Sequence, residues 1–209
     1  MISKVDLRGL ICPEPVLRTK KLLDDPGVER VEALVDDDVC VNNLRRLSNT
    51  FKATTDVHQH DGFFEVVIDR AARGSSTASE LTTAPSVRSA GDVAAGAGTT
   101  TVVFLAKDTF GDGDPELSRT LVNLFLQTAL EAGHQPRAIL MANAGVKLMA
   151  PDSPVLKVLE DFRQHGCEVL ACGLCLEFYG LKEKVPKEQI TNMFAICEYL
   201  FAADKVLQP

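Results

Sequence analysis

The stretch LICPEP, residues 10–15, places Cys12 directly before Pro13 and leaves one residue between that proline and Pro15. Proline suits the first turn of a helix, because the first backbone N–H groups have no intrahelical partner. The spacing therefore predicts a helix that begins at Cys12 and Pro13, with Cys12 as the N-cap. The prolines fix this turn, and the amide of Glu14 stays free to donate near the sulfur. The helix dipole favours the thiolate, whereas the Glu14 carboxylate opposes it.

The residues around this helix predict a two-layer α+β sandwich over residues 1–70, in which two helices cover one sheet. Val31, Ala33 and Val35 alternate with charged and polar positions, as is typical of a half-buried strand. Asp61–Gly62 is a strong hairpin turn. The predicted order is βαβαββ, with strands at 2–7, 28–35, 53–60 and 63–69, and helices from 12–13 to about 25–27 and from 36–38 to about 51.

Residues 71–98 consist mainly of Ala, Gly, Ser and Thr and contain no aromatic residue, so they cannot bury a core. We predict that this segment is a flexible tether between two domains. After it, strands and helices alternate over residues 99–209, and the first strand is a continuous apolar run, which is typical of a buried parallel strand. This second domain is predicted to be a doubly wound parallel sheet, and the whole chain to be of the α/β class.

The helices of the second domain are predicted from their caps and their apolar spacing. A first helix follows the cap Asp114–Pro115–Glu116, a second starts at Ser153–Pro154, and a third runs through Ile190 to Phe201. The predicted buried face of the first helix consists of Leu117, Leu121, Leu124 and Thr128. The predicted strands are TTTVVFLAK, PRAILMA, CEVLA and, near the end, KVL.

Composition limits the classes of function. The 209 residues have a net charge of −7, and no basic patch of the kind that nucleic-acid binding requires is visible. No window approaches the ~18 apolar residues of a membrane span, and the N-terminus lacks the pattern of a secretory leader. We therefore expect a cytoplasmic protein that binds neither nucleic acid nor membrane, and whose six cysteines are thiols.

Three cysteines are predicted to be core residues, because Cys40 and Cys197 lie in apolar helical stripes and Cys167 opens a strand. The spacing of Cys167, Cys172 and Cys175 matches that of some iron–sulfur ligands. However, an extended strand would separate Cys167 from Cys172 by roughly 16 Å. That distance suits neither a cluster nor a four-thiolate zinc site, so no metal is expected.

The candidate reactive pair of the second domain is Cys172 and Cys175. Cys172 lies where the third strand ends and a short helix, LCLEFY, begins, so the amides of the helix N-terminus favour its thiolate. Cys175 follows on the same helix face, within plausible reach of a disulfide.

A family resemblance rests on these motifs. DLRGLICPEPV, residues 6–16, resembles the signature of the TusA/SirA family of small sulfur-carrier proteins. Residues 99–209 resemble the DsrE/DsrF-like family through NAGVKL (143–148), ACGLCLEFYGL (171–181) and ITNM (190–193). The two domains in this order resemble the YedF family, which is described as sulfurtransferase-like and linked to selenium metabolism. The resemblance implies that Cys12 carries a persulfide and that Cys172 is the sulfur-handling cysteine of the second domain.

We therefore expect a persulfide or perselenide relay. A cysteine desulfurase-type donor would load Cys12, thiol exchange would pass the sulfur or selenium to Cys172, and Cys175 would release it to an acceptor protein. Asn143 and Lys147 are expected near Cys172, where Lys147 would stabilise an anion. No cofactor is expected beyond the transient persulfide or perselenide. Any catalysis would be sulfurtransferase-like, and the resemblance implies homo-oligomers formed through the second domain.

Two other functions stay open. A thiol–disulfide redox or regulatory module would use Cys172 and Cys175, since C-x-x-C at a helix start is also the thioredoxin-like arrangement. A non-catalytic scaffold in a sulfur-relay complex would need neither reactive site, so its capture of partners would survive Cys12→Ala and Cys172→Ala.

Overall fold

The computed structural model describes residues 1–11, 13–70 and 100–209. The chain divides into two units, Met1–Gly96 and Ala97–Pro209, and each has its own buried core. Cys12 and the tether predicted over residues 71–98 lie outside the described residues.

The first unit has a four-stranded mixed sheet and two helices, in the predicted order βαβαββ. Its elements are β1 (Ile2–Asp6), α1 (Glu14–Asp24), β2 (Arg30–Val35), α2 (Asp38–Thr50), β3 (Thr54–His60) and β4 (Phe63–Asp69). Across the sheet the strands lie in the order β1-β2-β4-β3, with β1 parallel to β2 and the other pairs antiparallel. The hairpin turns at Gly62, whose φ of 82° is readily accessible only to glycine.

One face of this sheet meets both helices. Val31, Ala33 and Val35 of β2 are fully buried and alternate with more exposed neighbours, as the period of a strand requires. Leu23 of α1 and Leu44 of α2 are fully buried as well, and each buried side chain of this size stabilises the fold by about 1.5–3 kcal/mol.

The second unit is a five-stranded sheet in which every pair is parallel, in the order β8-β7-β6-β5-β9. Its strands are β5 (Thr101–Leu105), β6 (Ala138–Met141), β7 (Glu168–Cys172), β8 (Ile190–Thr191) and β9 (Lys205–Leu207). Its helices are α3 (Pro115–Glu131), α4 (Leu156–Gln164), α5 (Gly173–Phe178) and α6 (Met193–Ala202), with 3-10 helices at Asn143–Met149, Lys182–Lys184 and Lys187–Gln189. Among the described helices, none is long and apolar enough to cross a membrane.

The buried face of α3 differs from the prediction. Leu117, Leu121 and Leu124 are 57%, 37% and 49% exposed, whereas Val122 and Leu126 are buried. The helix has apolar residues on two faces, so its spacing alone does not decide which face packs on the sheet. The predicted stripe of leucines is therefore wrong as a core face and forms an exposed apolar strip.

The segment around Ile190 also differs from the prediction of one continuous helix. Ile190 and Thr191 form the short edge strand β8 beside β7, and α6 begins only at Met193. Asn192 is the N-cap of α6, and its side-chain oxygen accepts a hydrogen bond from the amide of Ala195 at 3.0 Å. A side chain that caps a helix in this way ends the preceding strand and starts the helix within one residue.

Candidate functional site

The candidate site lies at the carboxyl edge of the parallel sheet in the second unit. β7 ends at Cys172, which is also the N-cap of α5, and its neighbour β6 is followed by the 3-10 helix that starts at Asn143. Met141 and Ala171 are paired in register, so the two strands end side by side. This edge is where ligands bind in parallel sheets of this kind.

Cys172 is almost completely buried, with 2% of its surface exposed. It packs with Leu140, Leu170 and Ile196 in the core between the sheet and α6. Burial raises the pKa of the Cys172 thiol, and the neighbouring Cys175 thiol adds to this, while backbone amides act in the opposite direction. The prediction that the helix N-terminus favours a thiolate at Cys172 is therefore wrong for the resting site, because desolvation outweighs the amides of a six-residue helix.

Cys175 is half-buried and is the more accessible thiol of the pair. The backbone N–H of Asn143 donates to its sulfur at 3.1 Å. Asn143 has a φ of 48°, a left-handed conformation that asparagine tolerates better than most residues. Cys172 and Cys175 are both free thiols. The structure thus brings Asn143, Cys172 and Cys175 together, as expected.

Lys147 and Tyr179 form the outer side of the site. The Lys147 ammonium lies 4.7 Å from the centre of the Tyr179 ring, and the Tyr179 hydroxyl donates to the side-chain oxygen of Asn143 at 3.5 Å. Tyr179 was not among the predicted site residues. The sequence could have indicated Tyr179, because it lies one helical turn after Cys175 and side chains at this spacing meet on one helix face.

Gly145 lets the 3-10 helix lie directly against the end of β5. A Cβ at this position would lie 2.0 Å from the carbonyl oxygen of Leu105, so any other residue would displace the segment that contains Asn143 and Lys147. The amide of Ala142 donates to the same oxygen at 3.1 Å. Close packing at Gly145 therefore fixes the position of the donor to Cys175.

The other three described cysteines lie outside the candidate site. Cys167 is 6% exposed, and burial, helped by the charge of Glu168, raises its pKa to about 12. It precedes β7 whereas Cys172 ends that strand, so the strand separates the two thiols. Cys40 and Cys197 are half-buried.

The chain around Cys12 differs in detail from the prediction. α1 begins at Glu14, and its N-cap is Pro13 rather than Cys12. The Glu14 amide, which we predicted to be free, donates to the carbonyl of Ile11 at 3.0 Å in a turn that precedes the helix. Pro15 still lies in the first turn, where it breaks no intrahelical bond.

Ile11, directly before Cys12, is 74% exposed. The Glu14 carboxylate accepts a hydrogen bond from Arg18 at 2.8 Å, which offsets part of its negative charge. The Glu14 carboxylate is therefore paired with Arg18 on the same helix.

Asp6 and Arg8 brace the loop that leads to Cys12. Their side chains form a two-point ion pair, with distances of 2.9 and 2.6 Å, and Arg8 also lies 5.1 Å from the centre of the Phe63 ring. The Arg8 hydrogen bonds lower the pKa of Asp6 to about 2. The amide of Gly9 donates to Asp36 at 2.5 Å, which ties the loop to the segment after β2. We had assigned no role to these residues.

Comparisons with known proteins agree with the motif around Cys12. Residues 3–70 match the family model described as sulfurtransferase TusA. A SirA-like protein from Desulfitobacterium hafniense is 35% identical over 33% of this chain and 96% of its own, with a TM-score of 0.31. No curated protein matches the chain.

Two further solved structures each match about half of the chain. The ychN protein from E. coli is 19% identical over 53% of this chain and 99% of its own, with a TM-score of 0.38. A conserved protein of unknown function from Bacteroides thetaiotaomicron is 20% identical over 52% of this chain and 94% of its own, with a TM-score of 0.39.

Proposed function

We infer that this chain, which belongs to the TusA family of sulfurtransferases through residues 3–70, passes sulfur from a carrier cysteine in its first unit to a pair of thiols in its second. Membership of the family supports a sulfur-carrier role in general, exercised together with other proteins. The finer proposal rests on one observation. Cys172 and Cys175 lie together at the carboxyl edge of a parallel sheet, with a backbone donor 3.1 Å from the Cys175 sulfur.

Cys12 is the proposed carrier. It follows the exposed Ile11 and precedes a helix whose first turn contains Pro15. A partner protein reaches a cysteine best when the chain before it is exposed and the chain after it is rigid. A persulfide formed on Cys12 holds one sulfane sulfur, which a second thiolate can accept.

Transfer to the second unit is a thiol exchange without net oxidation. The thiolate of the acceptor cysteine attacks the outer sulfur on Cys12, one S–S bond forms as the other breaks, and Cys12 leaves as a thiolate. We propose Cys175 as the first acceptor and Cys172 as the second, because Cys175 is half-buried and Cys172 is 2% exposed. This order reverses the one we predicted from the sequence.

The partners and the cargo belong to the same proposal. A cysteine desulfurase-type protein would load Cys12, and a sulfur or selenium acceptor would unload the second unit. Selenium would follow the same steps, since a selenolate is also a good nucleophile and leaving group. The exposed strip of Leu117, Leu121 and Leu124 supports association of the second unit with another copy. Cytoplasmic location stays a prediction.

A second candidate function is a thiol–disulfide couple between Cys172 and Cys175. It is favoured by the position of the two thiols, which lie three residues apart at the junction of β7 and α5. A measured reduction potential for this couple, together with turnover of a dithiol substrate, would support it.

The test of the relay is peptide-level mass spectrometry of the full chain after treatment with a cysteine desulfurase and cysteine. We expect one added sulfur on the peptide that contains Cys12, and later on the peptide that contains Cys172 and Cys175. Cys12→Ser abolishes both additions. Cys40→Ser, the matched control in the same unit, leaves both unchanged. Addition of sulfur to the second peptide in the absence of Cys12, at the rate of the parent chain, would overturn the relay.

A further inference from the structure

A cavity of about 370 Å³ opens in the second unit beside the candidate site. Its volume is within the range of small-molecule binding sites, and it lies beyond the ends of β5 and β6, where parallel sheets bind ligands. Its apolar wall is formed by Val122, Leu148, Pro154, Val155 and Leu181.

Four charged side chains also line this cavity: Asp108, Arg119, Lys147 and Asp152. Within residues 100–209, none of the four forms an ion pair or a side-chain hydrogen bond, although neighbours such as Lys107 and Asp112 are paired. The lining thus has two charges of each sign, of which Lys147 also lies over the Tyr179 ring, and this arrangement matches a ligand that has a cation and an anion close together.

The cavity is connected to the thiols by direct contacts. Lys147 and Tyr179 line it, Tyr179 hydrogen-bonds to Asn143, and the Asn143 amide donates to Cys175. A ligand in the cavity is therefore separated from the more accessible thiol by two side chains.

We propose that this cavity binds a small zwitterion of amino-acid size. The ammonium group pairs with Asp108 and Asp152, and the carboxylate pairs with Arg119 and Lys147.

The experiment titrates the full chain with L-serine, a zwitterion without sulfur, and with propionate and ethylamine, which each have one of the two charges. We expect L-serine to bind at least about tenfold more tightly than either analogue, because only it makes both charge-assisted contacts. Arg119→Gln and Asp152→Asn should each weaken L-serine binding by about fivefold or more. Arg163→Gln, a matched control on α4 that pairs with Glu160 outside the cavity, should not.

The outcomes separate this inference from the proposed function. Binding of L-serine that persists in the double variant Cys172→Ser, Cys175→Ser supports the cavity assignment whether or not the chain transfers sulfur. Equal binding of the three compounds, or no loss with Arg119→Gln, overturns the assignment. Loading of Cys175 from Cys12 without any binding of L-serine overturns the cavity assignment and leaves the relay standing.

A second, independent observation concerns Thr191 on β8. Thr191 is 1% exposed, and its hydroxyl has no hydrogen-bond partner among the described residues. It is paired in register with Cys172 on the neighbouring strand, so both side chains lie on the same face of the sheet. A buried hydroxyl without a partner costs stability, and its position beside a thiol suggests that its partner is present only in another state of that thiol.

Few other polar groups face Cys172. Cys175 is the titratable neighbour on α5, and Tyr199 on α6 packs against the same core while its hydroxyl donates to Glu168 at 2.5 Å. On the 3-10 helix, the Lys147 ammonium lies over Tyr179.

We propose that Thr191 is a positioning residue whose hydroxyl donates to the sulfur of Cys172 when that sulfur is negatively charged. The in-register pairing of Thr191 with Cys172 keeps the hydroxyl on the neighbouring strand, so rotation of the threonine side chain is the rearrangement that the contact requires. The hydroxyl then gains the partner that it lacks at rest.

The test compares Thr191→Val with Thr191→Ser, and reads the pH profile of Cys172 alkylation peptide by peptide. Thr191→Val should move the profile up by about one pH unit, a tenfold slower reaction at neutral pH. Thr191→Ser should restore it. The valine variant should also resist urea as well as the parent or better, since it removes an unpaired buried hydroxyl. An unchanged profile in Thr191→Val, or a serine variant that behaves like valine, would refute the role.

Discussion

Two thiols on one short segment of chain have different chemistry because their surroundings differ. Cys172 ends a buried strand and packs against apolar residues, whereas Cys175 lies one turn later, half-buried and bonded to the Asn143 amide. Desolvation raises the pKa of Cys172. Cys175 is therefore the accessible thiol of the pair, and Cys172 is shielded from solvent.

This difference predicts the order of chemical modification. Limited treatment with iodoacetamide at neutral pH should alkylate Cys175 about tenfold or more faster than Cys172, because Cys175 is more exposed and burial raises the pKa of Cys172. Cys167, with a pKa of about 12, should remain unmodified under the same conditions. Peptide mass spectrometry measures the order, and modification of Cys172 before Cys175 would contradict it.

Asp6 gives a second prediction at this scale, for acid stability. Its pKa is lowered from 3.8 to about 2 by Arg8, so the ionised form is stabilised in the folded state. The stabilisation is present above 3.8 and is lost as the pH falls through about 2. Asp6→Asn should therefore lower stability at neutral pH, and the difference from the parent should disappear near pH 2.

Urea unfolding at a series of pH values measures this difference. Both partners of the ion pair are partly exposed, so salt should reduce the effect. A difference that stays constant down to the lowest pH would show that the carboxylate charge is not its cause.

Among the elements, α3 shows that apolar residues at helical spacing do not by themselves determine which face of a helix is buried. Its leucine strip at Leu117, Leu121 and Leu124 has helical spacing but is exposed, whereas Val122 and Leu126 are buried. A helix with two apolar faces packs one on its own core and leaves the other for a partner.

The matched substitutions Leu126→Ala and Leu124→Ala separate the two faces. Leu126→Ala should lower the free energy of unfolding by about 2–5 kcal/mol, since it empties a buried site. Leu124→Ala should change it by no more than about 0.5 kcal/mol at concentrations where the chain is monomeric. Urea unfolding measures both, and a similar loss for the two variants would contradict the assignment of the faces.

The sequence was informative about elements with one clear signal and less so where two signals compete. The alternation of buried and exposed residues in β2 was enough to predict its strand. The start of α1 was misplaced by one residue because a turn closed by Ile11 and Glu14 uses the amide that the capping argument left free.

The site was predictable only where its residues lie close in sequence. Cys172 and Cys175 were found from the strand–helix junction. The position of Asn143 near Cys172 was expected, but its contact with Cys175 was not. Thr191 depends on an edge strand of two residues, which no periodicity detects. The burial of Cys172 depends on α6, whose packing is a tertiary effect.

At the scale of the whole molecule, the chain combines two units that each satisfy their own core. Val31, Ile68 and Leu44 of the first unit are fully buried. Residues 1–70 produced alone should therefore fold, with a single cooperative urea transition and the helix and strand content of β1 to β4. A non-cooperative transition for this fragment would show that its stability depends on the rest of the chain.

The central claim is that sulfur enters at Cys12 and reaches the pair Cys172 and Cys175. The most direct measurement is a single-turnover time course, in which the full chain receives one equivalent of sulfur from a desulfurase and is quenched and analysed peptide by peptide. The account predicts that sulfur appears first on Cys12 and then, as that signal decays, on Cys175. Sulfur on the second peptide that never passes through Cys12, or a Cys12 signal that does not decay in the parent chain, would contradict it.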